Sequence, residues 1–342
     1  MHRLTLCATF VAAAVAVPSA ATASGIAEDC AVVCHFDVAP GNYEVSVLLG
    51  DADEAAATGI RAEARRMMLT ETGTDAGQFV RREFRINVRE PEGEPTKEGS
   101  GTSGLTLTVS GAAPHVRHVS VRPVRSGPML FLAGDSTVCD QNTAPYTGWG
   151  QAIPQHLPPG LTVANYADPG ESSASFLAEP RLWDTMLPQV HSGDLVLLQF
   201  GHNDKTTSAE DYRDNLTRMV TELRTRHARP VLVSPPVRRL FDSATGHLNA
   251  TALHVTGLGV DLPAEMAAVA AEQEVPYINL TAASAALVEG LGIEGSKQLY
   301  LSNELSDNTH FSEYGADQFG LLVLEGLRTE KQPWQATIAE PT

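Results

Sequence analysis

In the first half of the chain, hydrophobic and polar residues alternate with a period of two, from about residue 37 to residue 124. The hydrophobic residues of the predicted strand 42–49 all fall on one face: Tyr43, Val45, Val47 and Leu49. The same alternation recurs at 84–89 and 105–109, and turn-forming clusters such as 40–42 separate the runs. A period of two is typical of half-buried strands, so this half predicts a small antiparallel β-sandwich without helices.

After Ser126-Gly127-Pro128 the pattern changes to short hydrophobic runs separated by helical repeats. The five runs cover 129–133, 163–167, 195–200, 230–234 and 275–280. Helices are predicted over 209–228 and over about 312–328. Strands that alternate with helices form a parallel sheet covered on both faces, so this half predicts a three-layer α/β/α domain with a five-stranded parallel sheet. Such sheets bind ligands at the carboxyl ends of their strands.

The first 23 residues have the three parts of a secretory signal peptide. His2-Arg3 precedes an apolar stretch from Leu4 to Val17, and small residues end the segment at Ala23. We therefore expect cleavage before Ser24 and a secreted or periplasmic protein. The alternatives are a buried helix or a membrane anchor, but the stretch is too short to cross a bilayer.

We expect four segments along the chain. They are the signal peptide over 1–23, the β-sandwich over 24–126, the α/β domain over 127–331 and a C-terminal tail over 332–342. A length of 342 residues fits two folded domains. No later stretch has 18 uninterrupted apolar residues, so a soluble protein without membrane contact is expected.

Charge excludes some classes of partner. The 41 acidic and 24 basic side chains give a formal net charge of −17. An acidic surface repels phosphate backbones and anionic lipids, so nucleic acid and membrane surfaces are not expected as partners. No oligomeric state follows from the sequence.

Three cysteines follow the predicted cleavage site: Cys30, Cys34 and Cys139. In an oxidising compartment the first two could form a disulfide, which would leave Cys139 free. A zinc site that uses Cys30, Cys34 and His35 is the alternative, although no fourth ligand is evident.

Candidate catalytic residues follow the predicted strands. Ser136 comes directly after the first strand, Gly170 after the second and Asn203 after the third, and Asp307 and His310 precede the last helix. A serine nucleophile needs a base, the base needs a carboxylate that fixes its tautomer, and acyl transfer needs amide donors for the oxyanion. Each residue alone also fits a turn or a helix cap, but their common position after strands favours acyl-transfer chemistry.

Four blocks resemble the signature of the SGNH (GDSL-like) hydrolases. They are Gly134-Asp135-Ser136, Gly170, Gly201-His202-Asn203-Asp204 and Asp307-x-x-His310. Within that class, residues 131–137, 148–150 and 307–316 resemble the rhamnogalacturonan acetylesterases, and the similarity runs from about residue 128 to 329. The preceding half, including 60–66, resembles the galactose-binding-like β-sandwich that some bacterial members carry.

The resemblance implies a role for each candidate residue. Ser136 would be the nucleophile, His310 the base and Asp307 its partner, and the Ser136 and Gly170 amides with Asn203 would form the oxyanion hole. This chemistry needs no metal or organic cofactor. Family members often carry Arg or Lys after the glycine of the second block, whereas Glu171 stands here, so sugar contacts cannot be transferred at that position.

The implied substrate is an acetylated polysaccharide of the plant cell wall, with rhamnogalacturonan preferred. A xylan or other carbohydrate acetylesterase, a short-chain lipase and a non-catalytic carbohydrate-binding protein are the alternatives. Arg238 and Arg239 could pair with galacturonate carboxylates, or with local acids and water. His202 and His254 are candidates for the rim of the site or for the core.

The β-sandwich has two possible roles. It could bind polysaccharide and so raise the local concentration of the enzyme, or it could brace the second half. Tyr43 and Phe84 fall on the predicted core face of their strands, which favours the brace because it leaves few aromatic rings for stacking on sugars.

Overall fold

The computed structural model describes residues 25–28, 30–90, 93–97, 102–125 and 127–329. The predicted signal peptide, its cleavage site before Ser24 and the predicted tail 332–342 lie outside the described residues.

Eight strands of the first half form two four-stranded antiparallel sheets, with the orders β1-β8-β3-β6 and β2-β7-β4-β5. The strands are β1 (Gly25–Glu28), β2 (Val33–Phe36), β3 (Gly41–Leu49), β4 (Ala56–Ala62), β5 (Arg66–Thr74), β6 (Val80–Val88), β7 (Leu105–Ala113) and β8 (Val116–Pro123). Val45, Val47, Leu49 and Ile86 are fully buried in the shared core of the two sheets, because alternate residues of each strand face inward. The predicted sandwich is therefore confirmed, and no helix lies in its described residues.

The second half contains a five-stranded parallel sheet with the strand order β10-β9-β11-β12-β13. The strands are β9 (Met129–Ala133), β10 (Thr162–Asn165), β11 (Leu195–Leu198), β12 (Arg229–Val233) and β13 (Tyr277–Ile278). All five predicted strands are present, although the last is much shorter than predicted. Every residue of β10 and β11 is buried, as expected of strands covered on both faces.

Helices cover both faces of the parallel sheet. They are α1 (Trp149–Ala152), α2 (Ser173–Ala178), α3 (Trp183–Met186), α4 (Ala209–Thr225), α5 (Leu262–Glu272), α6 (Leu280–Gly295) and α7 (Glu313–Thr329). Leu130 and Leu132 of β9 belong to the same apolar cluster as residues of α1 and α7, whereas Phe131 and Ala133 belong to the cluster that contains the apolar stripe of α4. The three-layer α/β/α prediction is therefore confirmed. None of the described helices is both long and apolar enough to cross a membrane.

A disulfide joins Cys30 to Cys34, and Cys139 is a free, buried thiol. Burial raises the pKa of the Cys139 thiol well above its ordinary value, so the thiolate is disfavoured. This arrangement is the disulfide alternative of the sequence analysis, and it leaves Cys30 and Cys34 without free thiolates for a metal.

A buried ion pair connects the two halves. Arg66, at the start of β5, donates from Nε and Nη2 to Oδ2 of Asp140 over 2.9 and 2.5 Å, and the two side chains are only 2% and 0% exposed. Asn165, at the end of β10, donates to the other Asp140 oxygen over 2.9 Å. Because Asp140 lies four residues after Ser136, the pair places the sandwich directly beside the loop that carries the candidate nucleophile.

We expect Asp140→Ala to lower the free energy of unfolding by about 3–5 kcal/mol, because it leaves the Arg66 guanidinium buried without its partner. Urea denaturation followed by circular dichroism measures this change. Arg122→Ala is the matched control, since Arg122 pairs with Glu44 over 2.7 Å but is 63% exposed. The control should cost no more than about 1 kcal/mol. Equal losses in the two variants would contradict the prediction.

Candidate active site

The loop after β9 places Ser136 at the carboxyl edge of the parallel sheet. Gly134 is required there because a Cβ at this position would lie 2.9 Å from the Gln199 carbonyl oxygen, just beyond β11. Oδ1 of the buried Asp135 accepts hydrogen bonds from the Thr137 amide and hydroxyl over 2.9 and 2.7 Å, and the Gln141 amide group holds the Ser136 carbonyl over 2.7 Å. The candidate nucleophile thus stands on a tightly bonded turn.

Ser136, His310 and Asp307 form one hydrogen-bonded line. Ser136 Oγ lies 3.0 Å from His310 Nε2, and His310 Nδ1 lies 2.7 Å from Asp307 Oδ2. The other Asp307 oxygen accepts from the amides of Thr309 and His310 over 2.7 and 3.0 Å. The structure therefore brings together the three residues that the sequence analysis assigned to this chemistry, although 174 positions separate Ser136 from His310.

The electrostatics of this line suit a general base. Burial raises the pKa of Asp307, but the hydrogen bonds from His310 and Thr309 outweigh this effect and lower the pKa below its ordinary value. Asp307 is consequently ionised near neutral pH and favours the tautomer of His310 that carries its proton on Nδ1. In that tautomer, Nε2 is free to accept the hydroxyl proton of Ser136.

Gly170 and Asn203 lie on the loops that follow β10 and β11. Gly170 has a φ of 87°, in the region that favours glycine, and an added Cβ there would meet no atom within 4 Å. Asn203 donates one amide hydrogen from Nδ2 to the Glu171 carbonyl over 3.0 Å, which leaves its second hydrogen for a ligand. This bond fixes the two predicted oxyanion donors relative to each other.

Asp204 ties the same two loops together, a role that the sequence analysis missed. Its carboxylate accepts from the Ser173 amide over 3.0 Å and from the Ser173 hydroxyl over 2.6 Å, at the start of α2. Burial raises the pKa of Asp204 to about 6. The only sequence signal was its place after Asn203.

A buried polar network behind Ser136 was also missed. The Trp149 indole donates to Gln199 Oε1 over 2.7 Å, and Gln199 Nε2 donates to Thr137 Oγ over 3.1 Å. Trp149, Gln199 and Thr137 are all fully buried. The network connects α1 and the end of β11 to the nucleophile turn.

The structure decides between the two interpretations of His202 and His254. They are only 2% and 5% exposed, and their rings meet edge to face with centroids 4.5 Å apart. Burial lowers the pKa of both imidazoles, so they are uncharged near neutral pH. Both histidines belong to the core and not to the rim.

Neither arginine of the 238–239 pair bonds an acid. Arg239 is 8% exposed and donates to the Asn308 side chain over 2.9 Å and to Ser296 over 3.1 Å, so neither alternative of the sequence analysis, a substrate carboxylate or local acids and water, holds for this residue. Arg238 is half-buried and donates to the His202 carbonyl over 2.9 Å and to the Thr309 hydroxyl over 2.5 Å. Arg238 thus links the loop of Asn203 to the loop of His310.

Among the residues that the structure describes, no three His, Cys, Asp or Glu side chains come together in an arrangement that could hold a metal ion.

The α/β/α fold carries Ser136, His310 and Asp307 in one hydrogen-bonded line at the edge of its sheet, and comparison with known proteins identifies the family of the chain. Residues 132–318 match the GDSL-like lipase/acylhydrolase family, and the chain belongs to this family of carboxylic ester hydrolases. The predicted SGNH membership is therefore confirmed.

Two relatives from Bacillus subtilis (strain 168) resemble the chain over different lengths. Rhamnogalacturonan acetylesterase RhgT is 39% identical over 214 residues, which cover 58% of this chain and 88% of the relative. The uncharacterized esterase YxiM is 26% identical over 307 residues, which cover 86% of this chain and 74% of the relative. The crystal structure of YxiM superimposes with a TM-score of 0.56 at 23% identity and covers 87% of this chain and 80% of that structure. The shared fold therefore extends beyond the hydrolase half.

We expect Asn203→Ala to lower kcat for acetyl esters by about 10²–10³-fold, because Asn203 is the predicted side-chain donor to the developing oxyanion. Steady-state kinetics on p-nitrophenyl acetate measure the loss. Asn279→Ala is the matched control, since Asn279 is an exposed asparagine that caps α6 by accepting from the Ala282 amide over 2.9 Å. The assignment fails if Asn203→Ala retains the kcat of the control.

Proposed function

We propose that this protein removes acetyl groups from a plant cell-wall polysaccharide and that rhamnogalacturonan is the preferred polysaccharide. The observation that carries the chemistry is the continuous hydrogen-bonded line from Ser136 through His310 to Asp307. The choice of substrate is supported by the similarity to RhgT, which covers most of that relative.

In the proposed reaction, Ser136 Oγ attacks the acetyl carbonyl carbon while His310 Nε2 accepts the hydroxyl proton. The amides of Ser136 and Gly170 and the side chain of Asn203 hold the tetrahedral oxyanion. Collapse breaks the bond to the sugar oxygen, which takes the proton from His310. Water then attacks the acetyl-serine by the same route and releases acetate and the free enzyme. These steps use only side chains, backbone amides and water.

Acetate release from a panel of acetylated polysaccharides tests the proposal. Wild type should release acetate fastest from acetylated rhamnogalacturonan, and Ser136→Ala should abolish release because it removes the nucleophile. Faster release from acetylated xylan would replace the proposed substrate with that of the alternative carbohydrate esterase. Equally slow release by wild type and Ser136→Ala would identify a non-catalytic carbohydrate-binding protein and overturn the proposal.

The length of the acyl group separates the acetylesterase from a short-chain lipase. With p-nitrophenyl esters, an acetylesterase should show a higher kcat/KM on acetate than on octanoate, because a longer chain needs a larger apolar pocket. A preference for octanoate would favour the lipase.

We also propose that the protein is secreted after removal of residues 1–23, with the sandwich over 24–126 and the hydrolase domain over 127–331. The composition of the first 23 residues supports this proposal. Expression of the full chain in a secreting bacterial host should give a mature protein that begins at Ser24, as mass spectrometry of its N-terminal peptide would show. Retention of residues 1–23 in the folded protein would contradict it.

A further inference from the structure

We propose that Arg65, in the turn between β4 and β5 of the sandwich, is a positioning residue for the catalytic line of the hydrolase domain. The inference rests on the proposed function, because it assigns Arg65 a part in ester hydrolysis by Ser136. It goes further by making the sandwich part of the framework of the active site.

The turn itself is held in an unusual conformation. Glu63 and Arg65 have φ values of 51° and 62°, in the left-handed region that non-glycine residues rarely adopt. The Glu63 amide donates to the Thr106 carbonyl over 2.9 Å, and the Arg65 amide donates to the Glu63 carbonyl over 2.7 Å. Backbone strain of this kind persists only where surrounding contacts fix it, and such positions cluster at functional sites.

Arg65 makes contact with three residues of the hydrolase domain, two in the loop between β9 and α1 and one at the start of α7. Its Nη1 donates to the Tyr146 carbonyl over 2.9 Å and to the Gln141 carbonyl over 3.3 Å, and its Nη2 donates to Glu313 Oε1 over 3.0 Å. Only 22% of the Arg65 side chain is exposed. A planar guanidinium can serve such divergent acceptors at once, which a lysine ammonium at the end of a flexible chain does less well.

Tyr146 and Gln141 contact the catalytic line, and Glu313 follows it closely in the chain. The Tyr146 ring meets His310 edge to face with centroids 5.3 Å apart. Gln141 holds the Ser136 carbonyl over 2.7 Å. Glu313 lies three residues after His310, in the first turn of α7. One residue therefore separates Arg65 from each of the two catalytic residues: Gln141 lies between Arg65 and Ser136, and Tyr146 lies between Arg65 and His310.

Glu313 is the negatively charged partner of Arg65. Arg61 donates to both of its carboxylate oxygens, over 2.5 and 2.8 Å, and this hydrogen bonding lowers the pKa of Glu313. An ionised carboxylate in the first turn of a helix is also favoured by the helix dipole. Glu313 thus remains charged near neutral pH and can hold Arg65.

Another segment of the sandwich reaches the loop before Gly170. The Thr96 amide donates to Asp168 Oδ1 over 3.2 Å, and the Thr96 hydroxyl bonds the other oxygen of the same carboxylate. With the Arg66–Asp140 pair, the sandwich therefore contacts the loops of the nucleophile, the oxyanion glycine and the histidine. Arg65 takes no part in the Arg66–Asp140 pair, so we expect the two halves to stay attached when Arg65 is replaced.

The test compares Arg65→Met, Glu313→Gln and the double variant with wild type on p-nitrophenyl acetate, a substrate too small to need polysaccharide contacts. We expect Arg65→Met to lower kcat about tenfold, with KM within twofold and the melting temperature nearly unchanged. The double variant should lose less than the product of the two single losses, because the contact between Arg65 and Glu313 is lost in both single variants. Arg122→Met, on the exposed pair with Glu44, should match wild type.

A readout that needs no substrate completes the test. The low-field NMR resonance of the His310 Nδ1 proton, identified by its loss in His310→Ala, should shift or broaden in Arg65→Met and stay unchanged in Arg122→Met. An unchanged resonance in Arg65→Met overturns the inference, and so does a kcat within twofold of wild type. The inference also fails if the activity of Arg65→Met falls only in proportion to the fraction of protein that is unfolded. Failure of the proposed function would look different, since wild type would then hydrolyse the ester no faster than Ser136→Ala.

Discussion

The hydrogen bond between Ser136 and His310 depends on two loops that meet at one edge of a parallel sheet. Parallel strands end at a common edge, so residues far apart in sequence can converge there. Phe311, directly after His310, is fully buried and forms β-bridges with Thr147 and Tyr300. These contacts hold the loop of His310 against the core. The side chains of the candidate site are thus held by rigid packing behind them, as precise catalytic geometry requires.

Buried polar side chains behind the candidate site also fix the positions of its loops. Asp135, Gln199 and Asp204 are fully buried, and hydrogen bonds bind them to the loops of the candidate site. Such a network costs stability where a member lacks a partner, but it specifies a single arrangement where its members are bonded. The candidate oxyanion donors are therefore positioned by groups that a substrate never touches. Asn203 itself bonds the Glu171 carbonyl with one amide hydrogen, which leaves the second for a ligand.

The sequence predicted both halves and the candidate triad because each carries a local signal. Alternation marks the strands, and Ser136, Gly170 and Asn203 directly follow them. The helices α1, α2 and α3 were missed because four to six residues are too few to show a helical period, and the longer helices α5 and α6 were not predicted either. The burial of Arg239 and His254 could not be predicted either, since it depends on partners distant in the chain. The same holds for Arg66 and Asp140, which are 74 positions apart.

Three of the ion pairs between the halves join arginines of the sandwich to carboxylates of the hydrolase domain. Arg61, Arg65 and Arg66 come from one strand, the following turn and the next strand, and they meet Glu313 and Asp140 in a chain whose net charge is −17. A buried ion pair adds little stability compared with well-packed apolar side chains, but leaving one charge unpaired is costly. Any displacement of the sandwich would separate these charges. The pairs therefore define one orientation of the sandwich against the catalytic edge, which a purely apolar contact would define less strictly.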